Sequence, residues 1–113
     1  MIKFEWDHIK AKINLKKHGV SFKEATTVFL SDQISVFLDE EHSVRDEERL
    51  IAVGYSQHDR ILTVVHCYRE NDEIIRIISA RRASRQEKDF FEGEWLWKKI
   101  MIFPKWRKLN RAI

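Results

Sequence analysis

With a single cysteine among its 113 residues, the chain has no internal disulfide, and Cys67 fits a reducing compartment and a structural role. One proline and three glycines leave little room for extended disorder or low-complexity linkers. Metal-ligand spacing is missing too: one Cys and five scattered His make neither a CxxC nor an HxxxH pattern, so no metal or other cofactor is expected. No stretch approaches the roughly 18 apolar residues of a spanning helix, and MIKFEWDHIK lacks the apolar centre of a signal peptide. A cytoplasmic protein without a membrane span is the expectation. No internal repeat is found.

What is present is a chain with 43% apolar and 35% charged residues, enough for one modest core. Its net charge of +3 is unevenly spread. Residues 31–60 hold three Arg against eight acids, whereas residues 93–113 hold six basic residues against Glu94. A general polyanion-binding surface is not indicated, so any anion site must be local.

Local signals order the elements. Asp7 is placed to cap a helix ending near His18, with Gly19 in the usual C-terminal position. Ser21 and Glu24 form a capping box for a second helix through about Leu30, and Ser84 with Glu87 form another for a third. Between them lie four β-rich runs, 34–38, 49–56, 60–68 and 73–81, the last three separated by turn-like QHD and RENDE. An α+β domain is expected: two N-terminal helices, a four-stranded antiparallel β meander and a C-terminal helix. It should span residues 1–93, followed by a basic, Trp-rich extension over 94–113. Strict alternation along the last strand places Ile75, Ile77, Ser79 and Arg81 on one face and Ile74, Arg76, Ile78 and Ala80 on the other.

That strand carries arginines and ends on them, as IIRIISARRASR. Cleaving RNA without a metal requires a group to take the 2′-OH proton, a group to protonate the leaving oxygen, and cations for the phosphorane. Arg76 and Arg81 are candidates to hold phosphate, since the guanidinium fork matches its oxygens. His66 is the candidate for proton transfer, with Glu48 and Arg49 assisting. Arg82, Arg85, Lys17 and His18 are candidates for RNA binding. Each has a plainer explanation: His66 as a packed residue, Arg76 as the exposed side of an edge strand, Arg82 and Arg85 as surface charges, Lys17 and His18 as cations at a helix C-terminus.

FEWD at 4–7, Asn14 to Phe22 with KHGVSF, EA-T-T-VF to Phe29 and RIISARRAS at 76–84 together resemble the BrnT-type toxins of bacterial type II toxin–antitoxin modules. Asp39, His42, Glu48-Arg49, Gly54 and Arg60-Ile-Leu fall between them in order. The resemblance covers residues 4 to about 92. It implies a RelE-like fold and a ribonuclease that inhibits translation by cutting RNA. It also implies a BrnA-type ribbon-helix-helix antitoxin in a 2:2 complex, with operator DNA contacted only through that antitoxin. Phe91 stands where such toxins often carry Tyr, and the alternative is an RNA-binding or antitoxin-pairing module without catalysis. In the tail, Leu96, Ile100, Phe103, Trp106 and Leu109 recur at helical spacing, interrupted at Pro104. Trp6, Ile9 and Ile13 form a stripe on the first helix roughly opposite Ala11, Leu15 and His18, and the tail or a partner would cover whichever stripe the sheet leaves open.

Overall fold

The structure is a computed structural model and describes residues 2–43 and 47–100, with side chains through Glu94. Element order is β1 (Lys3–Glu5), α1 (His8–His18), α2 (Phe22–Thr26) with a 3-10 turn over Thr27–Leu30, β2 (Ile34–Leu38), β3 (Leu50–Tyr55), β4 (Ile61–Arg69), β5 (Ile74–Arg82) and α3 (Arg85–Ile100). The three expected caps form. Asp7 accepts from the amides of Ile9 and Lys10 at 2.8 and 3.0 Å, Ser21 from Glu24 N at 3.0 Å, and Ser84 from Glu87 N at 3.1 Å. Gly19 closes α1 in the left-handed region at φ 69°, where a side chain would be strained.

The sheet differs from expectation in one strand. β2 to β5 form the antiparallel meander, but β1 adds a fifth strand parallel to β5, giving the order β1-β5-β4-β3-β2 and a mixed sheet. Three residues are too few to show alternation, and the partner lies some seventy residues along the chain, so no local signal marks β1. It sets Glu5 beside Arg76.

One face of the sheet packs on α1 and α2. Val20, Phe22, Ala25 and Val28 meet Ala52, Leu62, Val64, Ile75, Ile77 and Ala80, with Trp6, Ala11 and Phe29 at the edges. Asn14 docks α1: its amide donates to the carbonyls of Val20 (2.9 Å) and Ala80 (2.7 Å) and accepts from Ala80 N (3.2 Å). A side chain here satisfies strand backbone that β1, ending at Glu5, does not reach. Buried Glu24 accepts from Arg60 Nε (3.0 Å), pairs with Arg60 Nη2, and accepts from Ser56 Oγ (2.7 Å). It ties α2 to the β3–β4 turn.

α3 lies against the opposite face. Thr63 donates to Glu87 at 2.9 Å, Phe91 packs edge-on against Tyr55, and Glu94 accepts a hydrogen bond from Ser35. The helix continues to Ile100 across the expected 93/94 boundary. The tail contacts expected of Leu96, Ile100, Phe103, Trp106 and Leu109 fall on side chains outside those described.

Candidate active site

A bulge in β5 decides which arginines can act together. Val65 pairs with Ser79 but His66 with Ile77, so Ile78 is the extra residue. The phase of alternation shifts there. Ile75, Ile77 and Ala80 all enter the core, while Arg76 pairs with Cys67 and Arg81 with Thr63 on the other face. The expected separation of Arg76 and Arg81 onto opposite faces is therefore corrected. They share a face but lie roughly 15 Å apart along the strand, too far to grip one phosphate.

Arg76 sits in a cleft at the β1 end, lined by Asp7, Lys10, Glu47, Arg49, Arg69, Arg76, Ile77 and Ile78. Its Nη1 donates to Glu5 at 2.9 Å, and Arg69 Nη2 donates to Glu47 at 2.9 Å. Arg69 Nε lies 3.7 Å from Glu5, and Arg49 Nε 3.7 Å from Glu47. Arg49 Nε is buried without a hydrogen-bond partner among the described residues. Four cations thus face Asp7, Glu47 and Glu5, a cluster with positive charge in excess. The contacting carboxylates are themselves half-exposed, and such pairs are weak enough to yield to a dianionic or phosphodiester ligand.

Arg81 stands elsewhere and is engaged. Its two Nη atoms donate to both Glu87 oxygens at 2.7 and 2.8 Å. Glu87 also accepts from Thr63 and from Ser84 N, and the Arg81 guanidinium foremost holds its carboxyl down at about 2. The guanidinium fork is thereby matched by a carboxylate that also caps α3. Arg82 and Arg85 are exposed at this same end of β5, and Lys17 and His18 end α1, the helix whose start, not its end, borders the cleft. The nine candidate residues therefore divide. Arg49 and Arg76 come together, Glu48 is exposed next to the cleft, and the rest lie outside it.

His66 is the clearest departure from expectation. It is fully buried on the helix-covered face, its ring edge-on to Phe29 (centroids 4.8 Å) and to Tyr68 (5.6 Å). Nδ1 is 3.3 Å from the Val64 carbonyl, and Nε2 has no hydrogen-bond partner among the described residues. Burial lowers its pKa from 6.5 to about 4, so the ring is neutral near pH 7. Substrate cannot reach it in this arrangement, and the expected proton-transfer role does not fit a core residue. Phe91 is likewise buried, its ring edge-on to Tyr55.

A family described as the ribonuclease toxin BrnT of type II toxin–antitoxin systems matches residues 6–87. The chain belongs to the BrnT family. It is also similar to the crystal structure of the Brucella abortus ribonuclease toxin BrnT, with a TM-score of 0.57 and 28% identity over 75% of this chain and 100% of that one. No curated protein matches it by sequence. As a BrnT-family chain it is a toxin of the ribonuclease type, whose module includes an antitoxin. No helix among the described residues is long and apolar enough to cross a membrane.

Within this BrnT-family fold, the cleft residues Glu5, Lys10, Glu47 and Arg69 were absent from the expected set. Glu5 becomes visible only through the β1–β5 pairing. Arg69 ends β4 one residue past the expected run 60–68, so it was not assigned to a face; carrying the alternation one residue further sets it on the Cys67 face. That signal, combined with Arg49 just before β3, is the one that could have pointed to the cleft.

Proposed function

We propose that this BrnT-family toxin is an endoribonuclease that cuts RNA by 2′-OH attack, with the charge of the phosphorane carried by Arg49, Arg69 and Arg76 rather than by a metal ion. The observation that carries the reading is their convergence in one cleft with carboxylates beside them. An RNA phosphate entering the cleft takes the place of Glu47 and Glu5 on the guanidinium groups. Glu47, freed from Arg69, accepts the 2′-OH proton; proton transfer was expected of His66 with Glu48 assisting, and Glu47 is the carboxylate that lines the cleft. The 2′ oxygen bonds to phosphorus and the bond to the 5′ oxygen breaks. Products are a 2′,3′-cyclic phosphate and a 5′-hydroxyl protonated by Lys10 or by water. His66 and Arg81 stay outside this chemistry; the first supports the core and the second holds α3.

RNA cleavage inside the cytoplasm then inhibits translation, and a BrnA-type ribbon-helix-helix antitoxin, in a 2:2 complex, blocks it and carries the complex to operator DNA. A catalytically silent binding module, the alternative that Phe91 and the divergent tail suggest, would leave the RNA intact in the assay that follows. The test is incubation of the purified chain with a defined single-stranded RNA in excess EDTA. Cyclic-phosphate ends in the wild type, lost in Arg69→Gln and Arg76→Gln, are expected. Activity that EDTA abolishes and Mg²⁺ restores would refute the metal-free mechanism.

A further inference from the structure

The outer side of α1 carries a pattern that neither the core nor the cleft uses. Ile9 and Ile13 are 71% and 59% exposed. With exposed Lys12 and Lys16 they occupy positions i, i+3, i+4 and i+7, a single stripe down the helix. α1 bears Lys10, Lys12, Lys16 and Lys17 and no acidic residue at all. Two large aliphatic side chains framed by lysines suit a surface that is apolar along its middle and acidic along its flanks.

Several occupants can be weighed by charge and position. The chain's own C-terminal stretch is a poor match: residues 93–113 hold six basic residues against Glu94, the same sign as α1. It also continues from α3, which packs on the opposite face of the sheet. RNA satisfies the lysines but gives exposed isoleucines no stacking platform, since bases stack on aromatic side chains. A second copy of the chain offers acids in residues 31–60, but among the described residues there no helix supplies a matching apolar stripe. An acidic amphipathic helix meets both requirements.

We infer that the Ile9–Lys12–Ile13–Lys16 face of α1 is the docking surface for an acidic amphipathic helix of the antitoxin, an inference that rests on the toxin–antitoxin reading above. The position of the stripe gives the contact a consequence. Its first residue, Ile9, is flanked by Lys10, which lines the arginine cleft, and Asp7, which lines it too, caps the same helix. A helix seated on the stripe brings its acidic flank to the mouth of the cleft, where it competes with phosphate for the same cations. Docking and inhibition then arise from one contact.

The experiment uses the full chain and the antitoxin encoded beside it, with affinity measured by titration and RNA cleavage measured separately on the free toxin. Ile9→Asp combined with Ile13→Asp should weaken antitoxin binding at least 100-fold, with cleavage by the free variant and its melting temperature close to wild type. Lys12→Glu with Lys16→Glu should weaken binding about tenfold and flatten its salt dependence. As a check that needs no substitution, α1 amides should gain hydrogen-exchange protection when antitoxin is added. Wild-type affinity in the Ile9/Ile13 variant, or no protection of α1, would overturn the inference. So would a free wild-type chain that is dimeric in solution and becomes monomeric in that variant, because the stripe would then belong to a second copy. Loss of cleavage in the free wild type would strike the ribonuclease reading instead, and leaves the binding result to be judged by itself.

Discussion

Replacing His66 by Phe separates a structural histidine from a catalytic one, and the structure gives the size of the effect. Protonating His66 in the folded protein is opposed by its burial between Phe29 and Tyr68, which lowers the pKa from 6.5 to about 4. The unfolded chain takes up a proton as pH falls through 6.5, while the folded chain resists until about 4. Because the folded pKa is depressed, the contribution is fully present above pH 6.5 and is lost as pH falls toward 4. A shift of this size corresponds to about 3 kcal/mol of lost stability across that window. For a domain of this length the loss lowers the melting temperature by on the order of 10 °C. His66→Phe keeps an aromatic ring in the site and removes the titration. Thermal melts at pH steps from 7.5 to 4 should show a steep fall in the wild type and a much shallower one in the variant. RNA cleavage at pH 7 by the folded variant should stay within a few-fold of wild type. An unchanged pH slope would refute the burial argument, and a loss of cleavage near 10²-fold with intact folding would return His66 to the chemistry.

Other substitutions test the remaining supports. Asn14→Ala strips the Asn14 hydrogen bonds from the Ala80 amide and carbonyl and from the Val20 carbonyl, and should cost about 2–4 kcal/mol in denaturant melts, as three buried polar groups lose a partner. Glu24→Ala leaves Arg60 without its carboxylate and should destabilise by about 3 kcal/mol, with Glu24→Gln recovering part of the loss; near-neutral behaviour would contradict the ion-pair account. In Gly54→Ala the new Cβ meets the Gln33 carbonyl oxygen at 3.0 Å and Val28 Cγ1 at 3.1 Å, so β2 must shift, and a loss of about 1–3 kcal/mol is expected by the same assay.

Legibility followed the range of the interaction. The caps at Asp7 and Ser21, the capping box at Ser84 and the glycine stop at Gly19 depend on residues within a turn of one another, and the sequence pattern placed each of them. At Ser21 only the serine half of the expected box forms, because the Glu24 carboxylate turns to Arg60 and Ser56. Strand β1 did not show, because its order comes from β5 rather than from Lys3, Phe4 and Glu5 themselves. The bulge at Ile78 is equally silent, since isoleucine suits either phase of the strand, yet it moves Arg81 onto the face of Arg76. Family resemblance fixed on KHGVSF and Arg60, and much of that pattern turns out to hold the fold: Asn14 braces β5, and Glu24 with Arg60 braces the β3–β4 turn. Glu48 was expected to assist the chemistry, and its neighbour Glu47 is the one that lines the cleft.

The central claim is that phosphate is held by the Arg49–Arg69–Arg76 cleft and not by the arginines at the far end of β5. Initial rates on one defined RNA in EDTA, for Arg76→Gln and Arg81→Gln side by side, test it most directly. Arg76→Gln should lose about 10²–10³-fold, the usual effect of removing one donor aimed at developing charge. Arg81→Gln should lower the melting temperature through Glu87 while the folded fraction cleaves at near the wild-type rate. Full activity in Arg76→Gln together with a comparable loss in soluble, folded Arg81→Gln would move the site to the other end of the strand and contradict the account.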